Sequence, residues 1–344
     1  MKRKLTALLL TLALLPTLAA CGEQGTAGET RTVYAMDTVM NLTVYGEKAA
    51  SALENAEKEL HTLDESILSR TAEGSELSSL NAANGESVSY AADDPLPKLI
   101  ETALAISEAT DGAFDPTLAP VLDAWGFTKD LRRVPSADEL AELLARTGRD
   151  KIALEKTADG YLVTLSGGAQ LDLGGIAKGY AAGRVRTILR EAGVTSAIIS
   201  LGGNVAAVGK KPDGSAWTVG LQDPDRPEAY FGTVSIEDAC VVTSGAYQRY
   251  FEENGVCYHH ILDPHTGCPA ESGVKSVSVV AQDDTLADAL STALFVMGLD
   301  AGAELWNSSG LAFEAIFVTD DNTVWITPGL AGRYRSDRPY QILE

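Results

Sequence analysis

From residue 197 to its end, the chain reads as a series of short β-prone runs interrupted by one apolar helix, with no strict strand–helix alternation. The runs cover 197–201, 217–222, 232–236, 240–243, 258–262 and 274–281. A helix over 285–297 follows, and a hairpin of 313–318 and 323–326 closes over Asp320-Asp321-Asn322. Helical periodicity dominates earlier. Leu53, Ala56, Leu60, Leu63 and Ile67 recur at three- and four-residue steps over 47–67, and Leu96, Leu99, Ile100, Ala103 and Leu104 do the same over 95–110. Ser136 followed by Glu139 has the capping-box pattern and predicts a helix ending near Gly148. A strand is expected over 32–45, a loop and short helix over 69–84, a hairpin of 161–165 with 169–173 around Ser166-Gly167-Gly168, and a helix over 175–192. Such an order suits an α+β fold better than a doubly wound sheet. We expect a single large domain with mixed, mainly antiparallel sheets and packed helices.

The domain is preceded by an address. Lys2, Arg3 and Lys4 lead an apolar run from Leu5 to Leu15, and Leu18-Ala19-Ala20 runs into Cys21. This is the form of a bacterial lipoprotein signal, in which the cysteine is lipidated and becomes the new N-terminus. The run is short for a span, which takes about 20 apolar residues. The expected organisation is a signal over 1–20, lipidated Cys21 with a flexible tether over 21–31, and the domain over 32–344. The formal net charge is −21. So acidic a chain repels nucleic acid, and it repels a free dinucleotide unless a cation screens the phosphates. The remaining cysteines, Cys240, Cys257 and Cys268, are odd in number and exclude a fully paired disulfide framework.

Two segments carry chemistry when taken together. In Leu171-Asp172-Leu173-Gly174-Gly175-Ile176-Ala177-Lys178-Gly179-Tyr180, a strand-like run ends in a bare-backbone turn that opens a helix. A helix N-terminus offers free N–H groups to an anion, and Lys178 in the first turn is disfavoured by the dipole unless an anion is near. Asp288 and Thr292, four residues apart, share a helical face, with Ser291 beside them. Oxygen donors of this kind suit a hard cation such as Mg²⁺. A cation and a diphosphate held together indicate phosphotransfer on a nucleotide cofactor. Each segment alone reads equally well as a turn or a capped helix start.

A third segment joins Thr243-Ser244-Gly245, read as a turn exposing hydroxyls, to His259-His260-Ile261-Leu262-Asp263-Pro264-His265-Thr266-Gly267. Every histidine except His61 lies here, and a neutral histidine accepts a proton from an attacking hydroxyl. Cys257, His259, His260, His265 and Cys268 are also of zinc-ligand type, although their spacing matches no paired pattern. Finally, the loop over 112–117 precedes Trp125-Gly126-Phe127, aromatics that either wall a flat ring or pack in a core.

These segments, with Met36-Asp37-Thr38, Ser75-Glu76-Leu77-Ser78-Ser79-Leu80-Asn81 and Ser200-Leu201-Gly202-Gly203-Asn204, resemble in their order the ApbE family of FAD:protein FMN transferases. The resemblance runs along most of the chain after the signal. It implies Mg²⁺-dependent transfer of FMN from FAD to a threonine or serine hydroxyl of a target flavoprotein, with release of AMP. It implies Asp288, Thr292 and the backbone carbonyl of Gly175 as metal ligands. Met36, Ala113, Phe114, Asp115, Asp172, Lys178 and Leu262 would contact FAD, and His260 would be the base. It also implies anchoring through Cys21 at the outer face of the cytoplasmic membrane or in the periplasm, beside acceptors such as electron-transport subunits or extracellular flavoproteins. Thr71 falls where some relatives place a tyrosine against the flavin, and Ser291 where some place an aspartate. The competing readings are an FAD-binding lipoprotein, an FAD pyrophosphatase without acceptor, a transporter's solute-binding lipoprotein, and the zinc site.

Overall fold

The computed structural model describes residues 28–127 and 131–344; the signal, Cys21 and most of the tether lie outside the described residues. β1 (Glu29–Ala35) and β2 (Thr38–Tyr45) form a hairpin where a single strand is expected. Met36 and Asp37 make its turn at positive φ, 51° and 55°. That is the mirror-image turn geometry that matches strand twist, normally marked by Asn-Gly or Asp-Gly. Without that mark the turn is hidden in the sequence. Because β1 starts at Glu29, the last three residues expected in the tether belong to the sheet.

Next come α1 (Ala49–His61), prolonged by a π-turn at Thr62–Leu68, α2 (Glu76–Ala82), β3 (Val88–Ala91) and α3 (Pro95–Ala109). The apolar stripe of α1 and its extension is buried as the periodicity requires, with Leu53, Ala56, Leu60 and Leu63 at most 1% exposed. α4 (Ala119–Trp125) was not legible in the sequence. It is two turns long, starts on Ala119-Pro120, and ends at Gly126 in the left-handed region. α5 (Ala137–Leu144) starts where the capping box places it, with Ser136 Oγ accepting the Glu139 N–H at 3.2 Å. It stops four residues before Gly148.

β4 (Ile152–Lys156) and β5 (Gly160–Leu165) pair with each other, and β5 also pairs with β3. The expected hairpin of 161–165 with 169–173 therefore does not form. The backbone of the second run is claimed elsewhere: Leu171 exchanges both of its backbone hydrogen bonds with the Asn81 side chain, at 2.7 and 2.9 Å, and the Asp172 N–H donates to Pro116 O at 2.8 Å. Partners 90 residues away in sequence leave no local trace.

α6 (Ala177–Glu191) leads to β6 (Ser196–Leu201), β7 (Asn204–Gly209), β8 (Trp217–Asp223), β9 (Arg226–Ile236) and β10 (Cys240–Gly245). β11 (Tyr250–Glu253) and β12 (Val256–His259) form a separate hairpin, followed by β13 (Val274–Ala281), α7 (Asp284–Ser308), β14 (Phe313–Thr319) and β15 (Val324–Ile326). β16 (Tyr334–Arg335) and β17 (Tyr340–Ile342) end the fold. The main sheet has nine strands in the order β1-β2-β6-β7-β10-β13-β14-β15-β17, antiparallel except for β15 with β17. Two three-stranded sheets, β16-β9-β8 and β3-β5-β4, flank it. The fold is α+β and mainly antiparallel, as expected.

α7 packs on β13 and β10, and α6 packs on α7. The apolar character of α7 is accounted for by burial: Leu290, Ala293, Leu294 and Phe295 are at most 1% exposed. Each fully buried side chain of this size contributes about 1.5–3 kcal/mol. This packing places the starts of both helices, and the carboxylate and hydroxyls they carry, at one end of the sheet.

Candidate active site

At that end of the sheet the β1–β2 turn, the β6–β7 turn, the end of β10, the starts of α6 and α7 and the loops around α4 and β12 enclose a cleft of about 800 Å³. Every site residue expected within the described part of the chain lines it: Met36, Ala113, Phe114, Asp115, Asp172, Gly175, Lys178, His260, Leu262, Asp288 and Thr292. Cys21 lies outside the described residues. The two turns are fitted to each other. Gly202, at φ 59°, sits so close to Thr38 that a Cβ there would lie 2.5 Å from Thr38 Oγ1.

The glycine turn is held by Asp172. One carboxylate oxygen accepts the Gly174 N–H at 2.8 Å, and the other pairs with Arg70 Nε at 2.7 Å. Arg70 also pairs with Asp123 of α4 at 2.6 Å, tying three segments together. Helix geometry begins only at Ala177, two residues later than expected. Lys178 Nζ donates to Gly174 O at 3.3 Å, which folds its cation back over the turn. Gly179 makes the closest contact between α6 and α7. A Cβ there would lie 2.2 Å from Asp284 O and 2.6 Å from Asp288 Cβ, so only glycine fits. The same approach lets the Gly179 N–H donate to Asp288 Oδ2 at 2.7 Å.

α7 starts one residue earlier than expected. Asp283 caps it by accepting the Thr285 and Leu286 N–H groups at 2.9 and 3.1 Å. One turn on, Asp288 is 4% exposed and reaches the cleft floor, and Thr292 follows on the same face. Ser244 is in strand β10 rather than in a turn. Its hydroxyl lies 2.8 Å from Ser291 Oγ and 3.5 Å from Thr292 Oγ1, fastening the strand end to α7. Gly175 is adjacent: a Cβ on it would lie 3.6 Å from Thr292 Oγ1 and 3.1 Å from the Phe114 ring. One carboxylate, several hydroxyls and a backbone turn thus gather where the sheet ends. Among the described residues, no three His, Cys, Asp or Glu side chains converge on a common point.

The opposite wall is apolar. Phe114 and Leu262, both 4% exposed, face the cleft, and Asp115 locks its own loop by accepting the Thr117 N–H and hydroxyl at 2.8 and 2.6 Å. Trp125 is core rather than wall. It is 1% exposed, stacks on Phe127, packs at a tilt against Phe251 and Tyr258, and donates Nε1–H to Gly267 O at 2.7 Å. Phe127 reaches the cleft rim.

The histidines separate by role. His259 packs edge-on against Phe295 and hydrogen-bonds Ala270 O at 3.1 Å, while His265 stands in the exposed turn beside Asp263. His260 lines the cleft, and its Nδ1 lies 3.1 Å from Arg249 O. A carbonyl only accepts, so Nδ1 carries the proton and Nε2 is left as the basic nitrogen. The surrounding protein strips water from the ring, and nearby Arg249 and Lys178 oppose further positive charge, so its pKa is pushed down to about 4 from 6.5. The ring is neutral at physiological pH. An unfolded chain takes up a proton near pH 6.5 and the folded one near 4, so this group makes stability rise with pH through that interval. If His260 is the base, the acid limb of kcat/KM follows a group near 4; a limb between 6 and 7, measured on the free enzyme, removes it from that role.

Cys257 is exposed, Cys268 is partly exposed, both are free thiols, and the zinc ligand set is not assembled. Arg70 and Asn81 organise the site, yet no local sequence pattern marks either for that role: Asn81 lies in the segment 75–81 that carries the family resemblance, and Arg70 merely adjoins Thr71.

Residues 36–317 match the ApbE family model. The chain is 36% identical over 338 residues to the FAD:protein FMN transferase of Treponema pallidum, covering 92% of each chain. It is 30% identical over 337 residues to that of Haemophilus influenzae, covering 94% of this chain and 95% of the relative. The crystal structure of the ApbE protein of Thermotoga maritima superposes with a TM-score of 0.80 at 35% identity, over 86% of this chain and 96% of that one. The flavin transferase ApbE of Vibrio cholerae does so with a TM-score of 0.78 at 25% identity, over 90% and 99%. With this fold, this cleft and a match along nearly the whole described length, the chain belongs to the ApbE family.

Proposed function

We propose that the protein is an FAD:protein FMN transferase, moving FMN from FAD to a hydroxyl of a target flavoprotein and releasing AMP. The observation that carries the reading is the convergence, in one cleft, of a helix N-terminus with Lys178, the oxygen donors of α7 and an apolar wall. The wall takes the flavin ring and the helix start takes the diphosphate. Asp288 and Thr292, with the Gly175 carbonyl, form a hard oxygen set that suits Mg²⁺, although it holds a single carboxylate. Bound there, Mg²⁺ would neutralise phosphate oxygens and the charge of the departing AMP. Lys178 and the α6 amides add stabilisation at the same place. His260 Nε2 takes the proton from an attacking threonine or serine hydroxyl. The lipoprotein-type leader supports an enzyme anchored through Cys21 at the outer face of the cytoplasmic membrane, beside its acceptors.

Full-length protein mixed with FAD, Mg²⁺ and an acceptor flavoprotein domain should add one FMN to a threonine or serine of the acceptor, read by mass. AMP formed in the absence of acceptor identifies a pyrophosphatase instead. FAD bound but never cleaved reduces the protein to a flavin carrier.

A further inference from the structure

Arg249 precedes β11 and lies opposite His260, one step beyond the Tyr250–His259 pair of the β11–β12 ladder. Its carbonyl accepts both the backbone N–H and the Nδ1–H of His260, each at 3.1 Å. Directly opposed residues of an antiparallel pair project to the same side, and both Arg249 and His260 line the cleft. The cleft wall also carries Asp37, Asp64, Asp115, Asp172 and Asp288, in a chain of net charge −21. An anionic substrate needs cations to enter such a place. Arg70 is committed to Asp172 and Asp123. Arg249 is exposed, and no carboxylate pairs with it among the described residues. It is near enough to the His260 ring to oppose its protonation, as Lys178 is.

We propose that Arg249 is a substrate-binding residue that grips the FAD diphosphate together with Lys178 and the α6 N-terminus. A guanidinium presents a planar fork of donors to phosphate oxygens, which an ammonium does not. The side chain thus selects for a dinucleotide over a neutral flavin, while the backbone carbonyl of the same residue sets the tautomer of the base. This rests on the transferase reading, but its failure can be told apart from the failure of that reading.

The test is binding of FAD and of riboflavin to the full chain, followed by quenching of flavin fluorescence, in the wild type, Arg249→Ala and Arg249→Lys. Losing one charge-assisted contact weakens binding by about tenfold to a hundredfold. Arg249→Ala should lose that much for FAD and nothing for riboflavin, with Arg249→Lys recovering part of the difference. The alanine retains the backbone carbonyl and so the His260 tautomer, but it removes a cation that opposes protonation of the ring, so the acid limb of its kcat should move to slightly higher pH. Equal loss for FAD and riboflavin means that the cleft was disturbed, and it overturns the assignment, as does unchanged FAD affinity in Arg249→Ala. A wild type that binds riboflavin but gains nothing from the AMP half overturns this inference and leaves the cleft's apolar wall standing. A wild type that binds neither removes the transferase reading as well.

Discussion

Replacing Asp288 by asparagine should lower the rate of FMN transfer by about a thousandfold or more while leaving the fold nearly intact. Asp288 is 4% exposed and does two jobs at once. One carboxylate oxygen receives the Gly179 N–H at 2.7 Å, which fixes α6 against α7, and the residue faces the cleft beside Thr292. Asparagine keeps an acceptor oxygen for Gly179 but loses the charge. Alanine loses both, leaving a buried N–H without a partner at a cost of about 1–3 kcal/mol. The two substitutions therefore separate. Both should be inactive, and only Asp288→Ala should also show a clearly lowered melting temperature. Added Mg²⁺ should raise the melting temperature of the wild type and of neither variant, because a cation that binds only the folded state stabilises it by mass action. Substantial turnover by Asp288→Asn would mean that the carboxylate charge is not needed, and the metal site would have to be placed elsewhere.

The separability of these effects follows from how the site is built, and so does its legibility. Asp288 and Thr292 were readable because a helix puts positions four apart on one face, a local rule that tertiary structure does not disturb. The Asp172 turn and the Ser136 cap were readable for the same reason. What the sequence concealed depends on distant partners. The run 169–173 looks like a strand, yet Asn81 and Pro116 take its backbone bonds and leave it beside the cleft. The β1–β2 turn puts Met36 and Asp37 at positive φ, which aspartate tolerates and methionine rarely adopts. Its strain, held by two paired strands, places Met36 in the cleft wall. Gly179 belongs to the glycine turn that is legible in the sequence, but only the approach of α7 shows that it admits no Cβ. Arg70 and Arg249 were invisible because a single arginine acquires meaning from the carboxylates or the histidine it meets in space.

The contact between α6 and α7 has a second fastening, and it carries the largest stability effect expected. Arg186 of α6 is 2% exposed and pairs with Asp284 of α7, itself 4% exposed, at 2.6 Å. The same guanidinium donates to the carbonyls of Gln282 at 2.9 Å and Asp238 at 2.8 Å, so it also holds the loops leading into β10 and α7. Removing one member of a buried pair strands the other charge, and Arg186→Met should destabilise the fold by about 3–5 kcal/mol. Arg186→Met combined with Asp284→Leu should recover much of that loss, since an apolar pair of similar volume avoids the desolvation that the ion pair must offset. The pH dependence distinguishes a stranded charge from a mere cavity. Burial pushes the Asp284 carboxyl above the usual carboxylate range, and Arg186 pulls it back. Without Arg186 the upward push is unopposed. The folded state then holds a proton that the unfolded state releases, so the deficit of Arg186→Met relative to the wild type is full above the raised pKa and shrinks as pH falls through it. A cavity would cost the same at every pH. Chemical denaturation of the wild type, the single variant and the double variant at pH 5 and pH 7 decides between them. A deficit independent of pH, or a double variant no better than the single, would show that Arg186 holds the two helices by shape rather than by charge.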